Sequence, residues 1–470
     1  MLQFGTGGFR GVIGEDFTKQ NVQLIAEALA RIAEREGKTD LPVAVGYDNR
    51  FTSDRAAMWL AGVFAAHGIR VWLIPYAAPT PSVMFTVKSE RLHYGAMVTA
   101  SHNPYIFNGV KLFTEGGMDA DAAFTGRMER EIANVTSVRS LPAEKIPQGG
   151  LVRFDVREKY LDFIQSFLSP AAKGSGIRIL YDNLNGVGAG MIAPLAERMG
   201  WCVDVLNAEH DAFFRFKNPN PTESAIAPLA ERLRAGGYAF AMATDSDADR
   251  LGILDERGQY VGSNDILAAL YYYLVRCRGM RGDVVKNCAT SLLLDKLAQK
   301  LGFVCHEVDV GFKNVSQKMD ETDALIGGES SGGLTVRGYV KGKDSVFSSA
   351  LFTEMAVCMR KPVSEIVREV RDFAGYDLYC VEREIKLPSL EEARACLDSC
   401  TPPAGEKLLR TLRFGRNVKF LLEDGWALLR LSGTEPAVRI FAELPTKMRA
   451  ERAAEALKSC LAAAGRGCAV

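Results

Sequence analysis

Residues 94–104 read Tyr94–Gly95–Ala96–Met97–Val98–Thr99–Ala100–Ser101–His102–Asn103–Pro104. An apolar run ends in small hydroxylated and turn-forming residues, the pattern of a buried strand that opens into a loop. Upstream, Gln23 to Glu36 predicts a helix with Leu24, Ile25, Leu29, Ile32 and Ala33 on one side. Val43–Gly46 predicts a strand, Asp54–His67 a helix and Val71–Ile74 a strand. Strands alternating with helices give the rhythm of a parallel α/β sheet. In such sheets ligands bind beyond the carboxyl ends of the strands. Ser101 is therefore predicted on a loop at a binding edge. A plain strand-ending turn would use the same residue types. No Gly-x-Ser-x-Gly elbow surrounds Ser101, which disfavours a Ser-His-Asp hydrolase.

The rhythm restarts twice. Strands are predicted at Ile177–Tyr181, Cys202–Leu206 and Tyr238–Thr244, with helices at Gly188–Met199 and Ile226–Ala235. The third cycle has helices at Ile266–Arg276 and Leu292–Leu301, and strands at Asp283–Lys286 and Phe303–Val308. The tail differs: strand-like runs at Tyr379–Lys386, Val418–Leu422, Trp426–Leu431 and Val438–Leu444 lie between helices at Leu390–Cys400 and Met448–Ala464. That predicts a small α+β domain. Joints near Pro142–Val152, Asp255–Gly258 and Ala374–Tyr376 divide the chain into domains 1–150, 151–258, 259–374 and 375–470.

A chain of 470 residues exceeds one hydrophobic core. With 57 basic and 57 acidic residues, no net charge draws it to nucleic acid or an anionic membrane. No stretch has the length and apolarity of a membrane span, and the N-terminus lacks a signal-peptide layout, so the expectation is cytoplasmic. The 10 cysteines are scattered without Cys-x-x-Cys, which suggests neither a zinc site nor a disulfide framework.

Asp245–Ser246–Asp247–Ala248–Asp249–Arg250 ends an apolar strand with alternating carboxylates. On a loop these can converge on one hard cation, Mg²⁺ by its preference for oxygen. A calcium loop of the EF-hand kind needs Gly where Arg250 stands, and a helix rather than a strand before it; a solvated acidic turn is the plainer alternative. Arg430–Leu431–Ser432–Gly433–Thr434–Glu435–Pro436, with Arg439 beyond, reads as an anion-binding nest with forked arginines or as a polar hairpin. Gly327–Gly328–Glu329–Ser330–Ser331–Gly332–Gly333 offers a carboxylate and hydroxyls suited to sugar hydroxyls, though glycine-rich turns are common. Gly5–Thr6–Gly7–Gly8–Phe9–Arg10 is no dinucleotide fingerprint, since no strand precedes it.

Taken in order, these segments resemble the α-D-phosphohexomutase family across essentially the whole chain. The resemblance implies four domains: three similar α/β domains with mixed sheets flanked by helices, plus a C-terminal α+β domain. It implies a Mg²⁺-dependent isomerase that interconverts hexose 1-phosphate and hexose 6-phosphate through phosphoserine and a hexose 1,6-bisphosphate intermediate and activator. By that likeness Ser101 carries the phosphoryl group, and Asp245, Asp247 and Asp249 hold Mg²⁺ with an oxygen of that group. Arg10 and Lys111 are the candidates for proton transfer, and His102 supports the loop. Arg250 and Lys286 add positive charge. Glu329 and Ser331 read the sugar's 3- and 4-hydroxyls, while Arg430, Ser432, Gly433, Thr434 and Arg439 grip the phosphate that is not reacting. The expected partner is a hexose phosphate, with no nucleic acid or membrane, and the chain is expected as a monomer or homodimer.

Several positions depart from common family patterns. Ser330 stands where many members have Glu, Met or Gln; Gly333 replaces a frequent His; Asp344–Ser345 stands where Asp-Gly is more usual. Val310–Gly311–Phe312–Lys313, by contrast, resembles a common variant of a sugar-contacting loop in which some members carry His for Phe312. These bear on which hexose is preferred, and the Gly-Gly ending leans towards glucose over mannose or glucosamine. A glucose 1,6-bisphosphate synthase and a non-catalytic sugar-phosphate sensor are the competing readings; the sensor is disfavoured because every chemical group above is present.

Overall fold

The structure is a computed structural model that describes residues 2–5, 8–431 and 436–467. It divides into two compact units, 1–277 with 331–367 and 278–330 with 368–470.

The first unit holds two sheets. In one, Val43–Tyr47 lies parallel to both Tyr94–Val98 and Val71–Leu73. Its next neighbour, Phe107–Thr114, runs antiparallel to Tyr94–Val98, and Phe9–Val12 runs antiparallel beyond it. The parallel rhythm thus stops at this edge. The connection 99–106 contains no helix, and a parallel return needs a crossover of a dozen residues or more. The Ser101 loop is accordingly a hairpin loop clamped between buried strands. The second sheet repeats the device. Phe240–Thr244 is parallel to Arg178–Asp182, and Leu251–Leu254 returns antiparallel after the aspartate loop 245–250. Cys202–Leu206 completes the parallel part.

Helix ends follow local chemistry. Lys19–Glu36 begins where the Thr18 side chain accepts from the Asn21 amide and ends at Gly37, whose φ of 67° is left-handed. The helix predicted at 226–235 is split into Glu223–Ile226 and Leu229–Arg234, with Pro228 between them. The one predicted from Ile266 starts at Ser263 and loosens into a π-helical turn at Tyr273–Cys277. Thr80–Ser89 is a helix that periodicity did not predict: Thr80 to Val87 are all buried, so no wet face marks it.

In the second unit, Val284–Asn287 pairs in parallel with Cys305–Val308 and Ile326–Gly328. A five-stranded antiparallel sheet runs in the order Tyr379–Lys386, Ala437–Leu444, Gly425–Leu431, Asn417–Leu422, Leu408–Phe414. Leu390–Ser399 and Lys447–Gly467 are its helices. One sheet face packs Ala427, Leu429, Val438 and Ile440 with helix residues Ala453 and Leu457. The other packs Trp426, Leu428 and Phe441 against Cys288 and Ala289. Beneath it the Glu443 carboxylate accepts from Trp426 Nε1 (2.6 Å), Ser291 Oγ (2.8 Å) and the Tyr376 hydroxyl. Among the described residues, no helix is long and apolar enough to cross a membrane.

Candidate active site

In the first unit the two hairpin loops meet. Ser101 Oγ donates to Asp245 Oδ2 at 2.8 Å. Asp245, Asp247 and Asp249 each bring a carboxylate oxygen within 4.8 Å of the others, and all three residues are buried. Asp245 Oδ1 is fixed by the amides of Asp249 (2.8 Å) and Arg250 (2.9 Å). Lys111 Nζ reaches Asp247 Oδ2 at 2.6 Å and Asp249 Oδ2 at 2.9 Å. This follows from register: Lys111 lies opposite Met97 on the strand beside the one that feeds the Ser101 loop.

Like charges at this spacing are costly unless neutralised. Burial, with Asp249 and Asp247 nearby, holds the Asp245 carboxyl well above the usual range. At Asp249 burial works in the same direction, but Lys111, Lys343 and Arg250 outweigh it and hold its carboxyl well below that range. Asp247 Oδ1 and Asp249 Oδ1 are buried with no hydrogen-bond partner among the described residues. Unpaired buried carboxylate oxygens call for a compensating charge. An all-oxygen donor set with such orphaned atoms fits a hard divalent cation, and Mg²⁺ meets that description.

The other predicted residues of this unit lie around the loop. Arg10 Nη1 donates to Asn103 Oδ1 at 2.6 Å, so the first strand reaches the Ser101 turn. His102 Nδ1 lies 3.5 Å from Ser101 Oγ. Burial and the neighbouring Arg250 and Arg10 push its pKa far down, so the imidazole is neutral. Arg250 Nε is 3.9 Å from Asp249 Oδ1. Ser331 is exposed.

Lys343, Thr80 and Ser246 were not anticipated. Lys343 Nζ is 2.9 Å from Asp249 Oδ2. A Cβ on Gly333 would fall 2.1 Å from Lys343 Cδ, so the departure at Gly333 leaves room for this side chain. Thr80 binds Asp247 twice, amide to carbonyl at 2.9 Å and hydroxyl to Oδ2 at 2.6 Å. Ser246 Oγ donates to the Ser101 carbonyl at 2.5 Å. Ser246 was legible as the small residue between two aspartates; nothing local marked Thr80 or Lys343.

In the second unit, Glu329 Oε1 accepts from Asn287 Nδ2 at 2.9 Å and from the Gly311 amide at 3.0 Å. The Val310–Gly311 loop therefore orients that carboxylate. Arg430 and Arg439 are cross-strand partners. Burial, then Arg439, lowers the Arg430 pKa, while Glu329 raises it. Ser432, Gly433 and Thr434 lie outside the described residues. Lys286 was expected to add positive charge. It is fully buried and donates to the carbonyls of Thr290 (3.4 Å) and Ser291 (3.0 Å) and to the Asp295 carboxylate. Those three acceptors use its three N–H groups, and the ammonium braces the unit's own loop.

Four family models match consecutive stretches of the chain. They are phosphoglucomutase/phosphomannomutase alpha/beta/alpha domain I at residues 1–139, domain II at 158–258, domain III at 262–373 and the C-terminal domain at 389–459. A phosphoglucomutase/phosphomannomutase of Thermococcus kodakarensis is 29% identical over 448 residues, 95% of each chain. A protein of Methanopyrus kandleri assigned as a phosphoglucosamine mutase is 29% identical over 454 residues, again 95% of each. The crystal structure of a Thermus thermophilus protein assigned as a phosphomannomutase superposes with a TM-score of 0.87 at 30% identity, covering 98% of this chain and 99% of that one.

Proposed function

The chain belongs to the phosphoglucomutase/phosphomannomutase family, whose members are isomerases of hexose phosphates, and from that premise we propose that it interconverts hexose 1-phosphate and hexose 6-phosphate through phosphorylated Ser101. The observation that carries this reading is the hydrogen bond from Ser101 Oγ to Asp245 inside a buried cluster of carboxylates and ammonium groups.

Phosphoryl transfer asks for positioning and charge neutralisation more than for covalent chemistry. Ser101 presents its oxygen from a hairpin loop held on both sides. Asp245, Asp247 and Asp249 would hold Mg²⁺, which when bound neutralises charge on the phosphoryl oxygens. Lys111, buried against Asp247 and Asp249, would with Arg10 be a candidate to exchange a proton with the sugar hydroxyl. Arg10 sits beside the same loop and supplies a second cation. His102, kept neutral, packs against the nucleophile without competing for its phosphate. Lys343 adds an ammonium that the sequence reading did not include.

At the other end of the substrate, Glu329 would accept hydrogen bonds from the sugar's 3- and 4-hydroxyls, with Ser331 two residues on, and Arg430 and Arg439 would hold the distal phosphate with Ser432, Gly433 and Thr434. A two-ended grip requires the intermediate, a hexose 1,6-bisphosphate, to be accepted in both orientations. Glucose is the first candidate hexose, on the Gly332–Gly333 ending. Phosphoglucosamine mutase is the second, because relatives assigned to that activity match at 28–29% identity over 95% or more of this chain. The test is side-by-side turnover of glucose, mannose and glucosamine 1-phosphates with Mg²⁺ and a trace of the matching bisphosphate, together with intact mass of the protein. A phosphate mapped to Ser101 and loss of nearly all turnover in Ser101→Ala are expected. Substantial turnover by purified Ser101→Ala removes the reading.

A further inference from the structure

Ser101 has a φ of 50°, in the left-handed region that residues other than glycine, asparagine or aspartate seldom occupy. Something must hold it there, and the structure shows what. Arg50 is 3% exposed and lies on the turn after Val43–Tyr47. Its Nη1 donates to the carbonyls of Pro104 (2.9 Å) and Phe107 (3.0 Å). Its Nη2 donates to the carbonyl of Asn103 (2.7 Å) and to the carbonyl of Ser101 itself. One guanidinium thus gathers the carbonyls of the whole turn.

The other side of Ser101 is held through Asp48, which pairs with Arg50. The Ser101 amide donates to Thr99 Oγ1 at 2.8 Å, and Thr99 Oγ1 donates to Asp48 Oδ2 at 2.6 Å. That oxygen is 3.3 Å from Arg50 Nε. Asp48 Oδ1 is fixed in turn by the Arg50 amide (3.0 Å) and Ser53 Oγ (2.8 Å). The Phe214 ring covers the guanidinium, 5.0 Å from its carbon. Phe214 reaches it from a turn in which Phe214, Arg215 and Phe216 all have positive φ, 50°, 53° and 58°.

We propose that the Asp48–Arg50 pair is the positioning device of the phosphoryl-carrying loop, fixing the strained backbone of Ser101 through its carbonyl and, by way of Thr99, through its amide. This rests on the reading of Ser101 as the carrier. A planar fork is needed, because four carbonyls lie around one group and an ammonium has only three hydrogens on a single nitrogen. Charge alone does not suffice. Among the described residues, Arg50 touches none of those proposed to bind the sugar or its distal phosphate, so its loss should fall on the chemical step and spare substrate binding.

The experiment uses the full chain with Arg50→Lys, Arg50→Ala and Thr99→Val beside wild type and Ser101→Ala. Three readouts are taken: kcat and KM for glucose 1-phosphate, the fraction of Ser101 phosphorylated by glucose 1,6-bisphosphate from intact mass, and thermal melting. Arg50→Lys, which keeps charge and folding, is expected to lower kcat by about ten- to a hundredfold, the range for one lost charge-assisted hydrogen bond. KM should stay within about threefold. Thr99→Val should lower kcat in the same sense, and millimolar guanidinium should restore part of the Arg50→Ala activity. The proposal is overturned if Arg50→Lys keeps wild-type kcat. It is equally overturned if the loss matches the fraction of unfolded protein, or falls on KM instead. Failure of the underlying reading is separate: it appears as turnover by Ser101→Ala, whatever the Arg50 variants do.

Discussion

Arg430 and Arg439 face each other directly across two antiparallel strands, Gly425–Leu431 and Ala437–Leu444. Like charges in that register repel. Arg439 offsets part of this by lying 3.4 Å from Glu384 and 3.7 Å from Glu382, pairs that are half-exposed and weak. Two guanidinium groups kept together at such a cost, beside Ser432–Gly433–Thr434 in the sequence, suit an anion between them.

Arg439→Ala is therefore expected to lower kcat/KM by about one to two orders of magnitude for hexose phosphate in both directions. With unphosphorylated glucose as acceptor the same variant should lose little, since that ligand has no distal phosphate. Melting should change little, because relief of repulsion offsets the lost ion pairs. An equal loss with both acceptors would place the effect in the fold or at Ser101.

Chelation with EDTA should abolish activity and Mg²⁺ should restore it. Asp247→Asn should raise the Mg²⁺ needed for half-activity by at least about tenfold, as removing a charged ligand does. A second readout avoids turnover: Mg²⁺ should raise the melting temperature of wild type more than that of Asp247→Asn. Full activity after rigorous chelation, or rescue by zinc alone, would contradict an all-oxygen magnesium site.

Glu329 is oriented by Asn287 and the Gly311 amide. Glu329→Ala should damage every hexose phosphate alike, because glucose and mannose share their 3- and 4-hydroxyls and a site built for a hydroxyl loses strongly without it. Asn287→Ala should follow at smaller magnitude by freeing the carboxylate. Retention of mannose 1-phosphate activity alone in Glu329→Ala would break the assignment.

Asp344 caps the helix Ser345–Met359 through the Phe347 amide (2.9 Å) and accepts from Tyr160 (2.6 Å) and Tyr339 (2.7 Å). Burial pushes its carboxyl up to about 6, against 3.8 for the ordinary group, although those hydrogen bonds pull the other way. The folded state then holds a proton that the unfolded state has released between those values. This contribution to stability is full below pH ~4 and is lost as pH rises through ~6, at most about 3 kcal/mol. The difference in melting temperature between wild type and Asp344→Asn should accordingly change between pH ~4 and pH ~6.5 and level off above it. A difference that stays flat across that window would refute the shift.

The loops proposed to carry chemistry were legible because each breaks an apolar strand with an abrupt change of residue type, although a plain polar turn would begin in the same way. Asp245, Asp247 and Asp249 would repel on any strand, and Ser101 ends a run with no polar alternation. Elements with no wet face were not legible. Thr80–Ser89 and Ser345–Met359 are buried nearly all round, so their helical period leaves no trace in polarity. Arg50 and Lys343 were missed for a related reason. A charged residue in a turn reads as solvated, and only tertiary structure reveals that the Arg50 guanidinium is enclosed by carbonyls. Lys286 is the opposite case: its acceptors, the buried Thr290 and Ser291 and the partly exposed Asp295, are close in sequence, yet nothing local showed that they would hold it.

The Glu443 junction has an optical consequence. Of the chain's 4 tryptophans, Trp59, Trp72 and Trp201 belong to the first unit and Trp426 alone to the second. Trp426 is fully buried, its indole N–H is held by Glu443, and the Lys419 ammonium lies 4.3 Å from its ring. A carboxylate at the indole nitrogen and a cation over the ring both act on the emitting state, so its fluorescence should register the loss of either one. Replacing Trp59, Trp72 and Trp201 by Phe would leave a native reporter for the second unit, with no dye attached.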